Sequence, residues 1–216
     1  MRLLLLPIHS FLTPAMFAQG LTKVGQARAR RVMRFTASAD RCRSLCASLL
    51  LTRALADAGV PPSTPLAHTK LGKPFCPARQ DLHFSLAHCG EYAACAMHSQ
   101  PCGVDVEPVA DAPPQLLTAS LHPQEQQELH SLPSKERAVA FARMWTRKEA
   151  LLKLLGVGLS IDPRTVNIPY AKPHICLNDA HFIFQDYELP AHALSLCLPQ
   201  GTRPPDPEFL SPEELL

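Results

Sequence analysis

The stretch Phe141–Leu155, Phe-Ala-Arg-Met-Trp-Thr-Arg-Lys-Glu-Ala-Leu-Leu-Lys-Leu-Leu, constrains the fold more than any other part of the chain. At about 100° per residue, Phe141, Met144, Trp145, Leu151, Leu152 and Leu155 gather on one apolar arc. The segment is therefore predicted to be a helix packed along that arc, with Arg147 on the far side. Lys148 falls inside the arc. Glu149 and Lys153, one turn apart, align at its edge beside Trp145 and can reach one shared point. A cation in an apolar stripe and a carboxylate at its rim are unfavourable without a compensating partner. A ligand with negative charge, or a metal ion, would supply one. A surface helix with a Glu–Lys pair and a snorkelling lysine would present the same residues, so the decision rests on what lies upstream.

The chemistry concentrates at Gly103-Val104-Asp105-Val106-Glu107-Pro108. In a strand, alternate side chains share a face, which projects Asp105 and Glu107 together at about 7 Å spacing while Val104 and Val106 pack the other way. Gly103 permits close approach and Pro108 ends the pairing. Two carboxylates on one face repel, and a hard divalent cation relieves that repulsion. With Glu149 as a third acid, the set resembles the partial oxygen shell that magnesium accepts, water and a substrate phosphate completing it. Two solvated acids on an exposed strand remain the plain alternative.

The surrounding chain reads as mixed helix and strand. Leu21 to Arg34 is rich in cations, namely Lys23, Arg28, Arg30, Arg31 and Arg34. A helix is predicted from about Asp40 to Ala58, with Leu45, Leu49, Thr52 and Leu55 at helical spacing and Gly59 as its stop. Arg41 and Arg43 continue the basic cluster. Such a cluster is either a solvated face or a seat for a polyphosphate, since arginine forks match phosphate oxygens in pairs. Leu71-Gly72-Lys73-Pro74 is a turn, Leu82–His88 alternates as a strand, and Tyr92–Met97 follows after a turn at Cys89-Gly90-Glu91. A second hairpin is predicted from Ala180–Phe184 and Ala191–Leu198. A hairpin and a helix in each half point to an α+β chain of two similar lobes, residues 1–108 and 109–216, with the junction near Val109 to Pro114.

Composition narrows the classes. The 21 basic and 19 acidic residues nearly balance and aromatics make up 6%, which gives no reason to expect nucleic acid. No run approaches the roughly 20 apolar residues of a membrane span. Met1 to Ile8 is read as a first strand rather than a leader, because Pro7 cuts a short apolar core. Prolines number 22 and predict stiff connections, among them Pro61 to Pro65. The eight cysteines form no Cys-x-x-Cys pair; free thiols in apolar runs such as Ala93–Met97 and Ala193–Leu198 point to a reducing cytosol.

Gly-Val-Asp-Val-Glu at 103–107, followed roughly forty residues later by Trp145-Thr-Arg-Lys-Glu-Ala-Leu-Leu-Lys153, resembles the paired signature of the 4'-phosphopantetheinyl transferases of the surfactin-synthetase (Sfp) type. Gly72-Lys73-Pro74, Phe84-Ser85-Leu86-Ala87-His88, Arg34-Phe35 with Asp40 and Arg43, and Gly156–Ser160 resemble further motifs of that family, so the likeness runs from about Arg28 to the end. It implies two α+β lobes related by a pseudo-twofold axis, with coenzyme A in the cleft between them. It further implies magnesium at Asp105, Glu107 and Glu149, Lys153 beside the pyrophosphate, and Glu149 as the base that activates a serine of an apo acyl or peptidyl carrier protein. Arg28, Arg31, Arg43 and His88 match positions that place positive groups on the 3'-phosphate and pyrophosphate, and Lys73 with Pro74 matches the adenine site. Lys148, whose charge inside the apolar arc calls for an anion, joins the coenzyme A set.

Ser85, Ala87 and Cys89 stand where the family has asparagine, serine and serine, so a hydroxyl contact at 87 is missing, a departure that bears on coenzyme A affinity more than on the reaction. Carrier docking is expected on Leu116 to Leu132, through Leu116, Leu117, Leu121 and Leu129, with Arg137, Arg143 and Arg147 for an acidic partner helix. A monomer in the cytoplasm is expected. The competing classes are a coenzyme A or carrier-binding module without catalysis, and a nucleic-acid binder using Arg28 to Arg43.

Overall fold

The computed structural model describes residues 1–61 and 64–216. Pro62 and Ser63, within the proline-rich stretch expected to be stiff, lie outside the described residues. The chain opens with β1 (Arg2–Pro7), α1 (Pro14–Lys23), α2 (Gln26–Val32) and α3 (Ser38–Asp57). Next come β2 (Ala67–His68), β3 (Pro74–Phe75), β4 (His83–Cys89), β5 (Tyr92–His98) and β6 (Gly103–Pro108). The second part carries α4 (Pro114–Ser120), α5 (Pro123–Ser131), α6 (Ser134–Leu155), β7 (His174–Leu177), β8 (Ala180–Leu189), β9 (His192–Pro199) and β10 (Pro207–Phe209).

Two four-stranded sheets form, in orders β10-β1-β5-β4 and β6-β9-β8-β7. Their alternation builds four layers. Leu4 and Leu6 of β1 bury against Leu45, Leu49 and Leu50 of α3, whereas Leu3 and Leu5 point the other way, into a core shared with Val104, Val106, Leu194 and Leu196 of the second sheet. Beyond that sheet, Phe184 and Cys197 pack against Ala150, Leu151 and Leu154 of α6. Every face of β1 is thus covered, which explains its unbroken leucine run. Each sheet is backed by one long helix, α3 for the first and α6 for the second, and the chain is a mixed α+β protein.

Although β6 lies among the first 108 residues, it pairs with β9 and opens the second sheet. In the other direction the tail crosses back, β10 adding to β1 in parallel, with Leu3 opposite Pro207 and Leu5 opposite Phe209. Both long helices stop at a glycine in the left-handed region, α3 before Gly59 (φ 73°) and α6 at Gly156 (φ 71°). The cation-rich segment supplies the end of α1 and the whole of α2. All eight cysteines are free. No helix among the described residues is long and apolar enough to cross a membrane.

Candidate active site

The edge strands β4 and β6 meet where the two sheets adjoin, and Val104 N donates to Ser85 Oγ at 3.1 Å across that seam. Ser85, one of the departures from the family pattern, therefore joins the two sheets. Gly103 is required at the next layer: a Cβ there would lie 1.9 Å from Ala150 O and 2.6 Å from Leu154 N, so β6 rests backbone to backbone on α6. That contact brings Asp105, on the α6 side of β6, to Lys153, whose Nζ donates to Asp105 Oδ1 at 2.6 Å.

The acids share one electrostatic neighbourhood. Burial pushes the Asp105 carboxyl up to about 7, with Lys153 opposing and Glu107 and Glu149 adding to the shift. Burial also raises Glu149, against Lys153 and with Glu107. Asp105 Oδ2 is buried and without a hydrogen-bond partner. Glu107 Oε2 accepts the thiol of Cys89 at 3.0 Å; burial first, and the Glu107 contact next, push that thiol up to about 12. Among the described residues no three His, Cys, Asp or Glu side chains are drawn into a ready ion cage. Like charges hold the carboxylates apart, and Lys153 and Cys89 each take one oxygen. The donor set nevertheless fits a hard divalent ion: three carboxylates, an orphaned buried oxygen, and two proton affinities raised by burial first and by neighbouring acids second.

Beside the acids lies a cavity of about 360 Å³ lined by Arg28, Arg31, Lys73, Pro74, His88 and Lys153, six of the positions that the sequence marks. Lys153 is common to both sides. Arg28 Nη2 is buried without a partner, and burial, with Arg31 adding, lowers its proton affinity. An anion at this place relieves both penalties. Burial, then Lys153, holds His88 below its usual value. Lys73 has its Nζ on Leu154 O at 2.8 Å, so it caps the last turn of α6 while its stem lines the cavity. Arg31 Nη1 lies 3.3 Å from Nε2 of His68, a residue without any sequence signal. Arg43 is not in the lining; it binds Asp40 Oδ1 at 2.6 Å and Gly90 O at 3.3 Å.

Three expectations are corrected. Lys148 does not reach the cavity: fully buried, it donates to Glu125 Oε2 at 2.6 Å and to the carbonyls of Pro163 and Val166 at 2.8 Å each. Arg147 is not on a solvent face but 4% exposed, held by Asp186 and the carbonyls of Pro169 and Tyr170. Of the leucines expected on a docking ridge, Leu121 and Leu129 are core residues with Ala140 and Met144, Leu117 packs against them, and Leu116 is exposed. For Lys148 and Arg147, periodicity located the helix but not the neighbours that cover it.

Comparison with known proteins agrees with this arrangement. The model of the 4'-phosphopantetheinyl transferase superfamily matches residues 101–197, from the strand that opens the acidic site to the end of its sheet. A 4'-phosphopantetheinyl transferase of Bacillus subtilis is 29% identical over 65% of this chain and 64% of its own length. The 4'-phosphopantetheinyl transferase Sfp of Bacillus subtilis strain 168 is 30% identical over 67% of each chain. HetI of Nostoc, a 4'-phosphopantetheinyl transferase, is 36% identical over 38% of this chain and 36% of its own. The matched part thus spans about two thirds of the length of the first two relatives. By the extent of these matches and the residues they cover, the chain belongs to the 4'-phosphopantetheinyl transferase family, Sfp type.

Proposed function

We propose that this protein transfers the 4'-phosphopantetheine group of coenzyme A to a serine of an apo acyl or peptidyl carrier protein, with magnesium, giving holo carrier protein and adenosine 3',5'-bisphosphate. The observation that carries the reading is Lys153, which lines the cationic cavity and also donates to Asp105, so that a phosphate-binding surface and an acidic cluster meet at one side chain.

In this reading Arg28, Arg31 and His88 face the phosphates of coenzyme A and the Lys73–Pro74 turn borders the adenine, while Arg43 supports the turn behind His88. Asp105, Glu107 and Glu149 would hold magnesium. When bound, it supplies positive charge that offsets the charge growing on the leaving phosphate. Lys153 adds a second cation at the same place. Glu149, whose proton affinity burial raises, accepts the proton of the carrier serine. The serine oxygen bonds to the β-phosphorus, the bond from that phosphorus to the bridging oxygen breaks, and the electron pair leaves on adenosine 3',5'-bisphosphate.

The purified chain is to be incubated with coenzyme A, magnesium and a panel of apo carriers from fatty-acid, polyketide and peptide synthesis, reading added mass by mass spectrometry. Mass gain on at least one carrier is expected, and Glu149→Gln should abolish it without changing the thermal midpoint. No gain on any carrier, or near-normal turnover in Glu149→Gln, refutes the assignment.

A further inference from the structure

The geometry points to Cys89 as a positioning residue for Glu107: its thiol, carried at the end of β4 where the β4–β5 turn of the first sheet begins, fixes one oxygen of a carboxylate that the second sheet offers to a divalent ion. This rests on the proposed function and adds a residue to it. The contact itself is a thiol hydrogen directed at Glu107 Oε2, sulfur to oxygen 3.0 Å.

What makes the thiol a fixed point is the turn that bears it. Gly90 adopts φ 53°, and a Cβ there would fall 2.0 Å from His192 Nε2. The neighbouring Glu91 N donates to that same Nε2 at 3.3 Å, and Nδ1 of the ring lies 2.8 Å from Pro190 O, which assigns the hydrogen to Nδ1. Tyr92 meets the His192 ring edge-on at 5.0 Å between centroids. On the first-sheet side, Arg43 Nη1 donates to Gly90 O at 3.3 Å and Ile8 N donates to Glu91 O at 2.9 Å. Backbone on both sides of the turn is therefore tied, and the thiol has little freedom to leave Glu107.

Glu107 needs such a restraint. Asp105 is held by Lys153 and is 5% exposed, with its buried Oδ2 unpartnered and open to an ion; Glu149 rides on a long helix. Glu107 sits near the end of β6, half-buried, where repulsion from the other two acids would swing it outward. A hydrogen bond from an outer residue orients a ligand carboxylate, and losing such a partner lowers metal affinity by about 10- to 100-fold. A thiol is a weak donor, which places the loss near the lower bound.

The test measures metal uptake rather than turnover. Free manganese is titrated by electron paramagnetic resonance against the full chain with coenzyme A and without carrier. Cys89→Ala, and Cys89→Val, which refills the volume without a donor, are expected to weaken manganese binding about tenfold. Cys89→Ser, which keeps a donor, is expected to restore affinity to within about twofold of wild type. Urea midpoints without metal control for loss of fold, and the serine variant keeps the comparison decisive if Cys89→Ala unfolds. Wild-type affinity in either donor-less variant overturns the inference, as does a serine variant no better than alanine. A wild type that takes up no manganese overturns the magnesium reading, and this inference with it.

Discussion

Replacing Lys148 by methionine tests the packing of α6 and separates two uses of its charge. The ammonium makes three bonds, to Glu125 Oε2 at 2.6 Å and to the carbonyls of Pro163 and Val166 at 2.8 Å. Both ion-pair side chains are fully buried. Burial lowers the proton affinity of Lys148 while Glu125 raises it, so the pair stands only as a unit. Without the lysine, Glu125 keeps His122 N at 2.7 Å and Ile168 N at 2.7 Å, but its charge loses its counterion in a dry site. Breaking a buried pair from one side costs about 3–5 kcal/mol. For a chain of this size each kcal/mol lowers the thermal midpoint by about 2–4 °C, a fall of roughly 6–20 °C. Urea and thermal unfolding at pH 8 would read it. Adding Glu125→Gln should recover part of the loss, the two changes being coupled. Coenzyme A affinity at a temperature where both proteins are folded should be unchanged. A midpoint within about 2 °C of wild type, or a coenzyme A affinity that falls with little loss of stability, would return Lys148 to the ligand site and refute the structural account.

Gly103→Ala should destabilise by about 1–3 kcal/mol or more, since its Cβ meets backbone of α6, and should cut transfer by about 100-fold as Lys153 parts from Asp105; wild-type kcat in a folded variant counts against this. Arg28→Met should leave the ligand-free midpoint unchanged or higher, because a half-buried cation with an unpartnered Nη2 is removed, while raising the KM for coenzyme A by about 10-fold or more; a falling midpoint with unchanged KM would be the wrong result. Acid should loosen β10 before the rest of the first sheet. Burial raises Asp57 but Arg53 and Arg2 outweigh it, and Arg2 holds Glu208 low. Both contributions are complete above the unfolded carboxyl values of about 4 and are lost as pH falls through the folded ones, so the amide of Leu210, bonded to Leu5 O, should lose exchange protection at pH 3 relative to neighbours in β5.

Local pattern made much of this architecture legible. Gly103-Val-Asp-Val-Glu-Pro carries its own strand signal, and β6 has the bounds read from it. Helix α3 differs from its expected limits by two residues at one end and one at the other. Segments with short or mixed periodicity were not legible: α1 and α2 are held by tertiary contacts with α3 rather than by pattern. Partners distant in sequence were hidden too. Nothing near Lys148 announces Glu125, 23 residues earlier, and nothing near Gly90 announces His192. In the candidate site, residue types and spacing named the acids and cations, whereas Cys89, Ser85 and His68 gain roles only from the neighbours that folding gives them.

The return of β10 to β1 has a consequence for synthesis. A leucine-rich strand made well before its partner must wait, with one row of amides and carbonyls open, until residues 207–210 have left the ribosome. During that interval the nascent chain exposes an apolar edge of the kind that recruits foreign strands. Chaperone dependence during translation should therefore be greatest late, and ease once Phe209 and Leu210 reach their places.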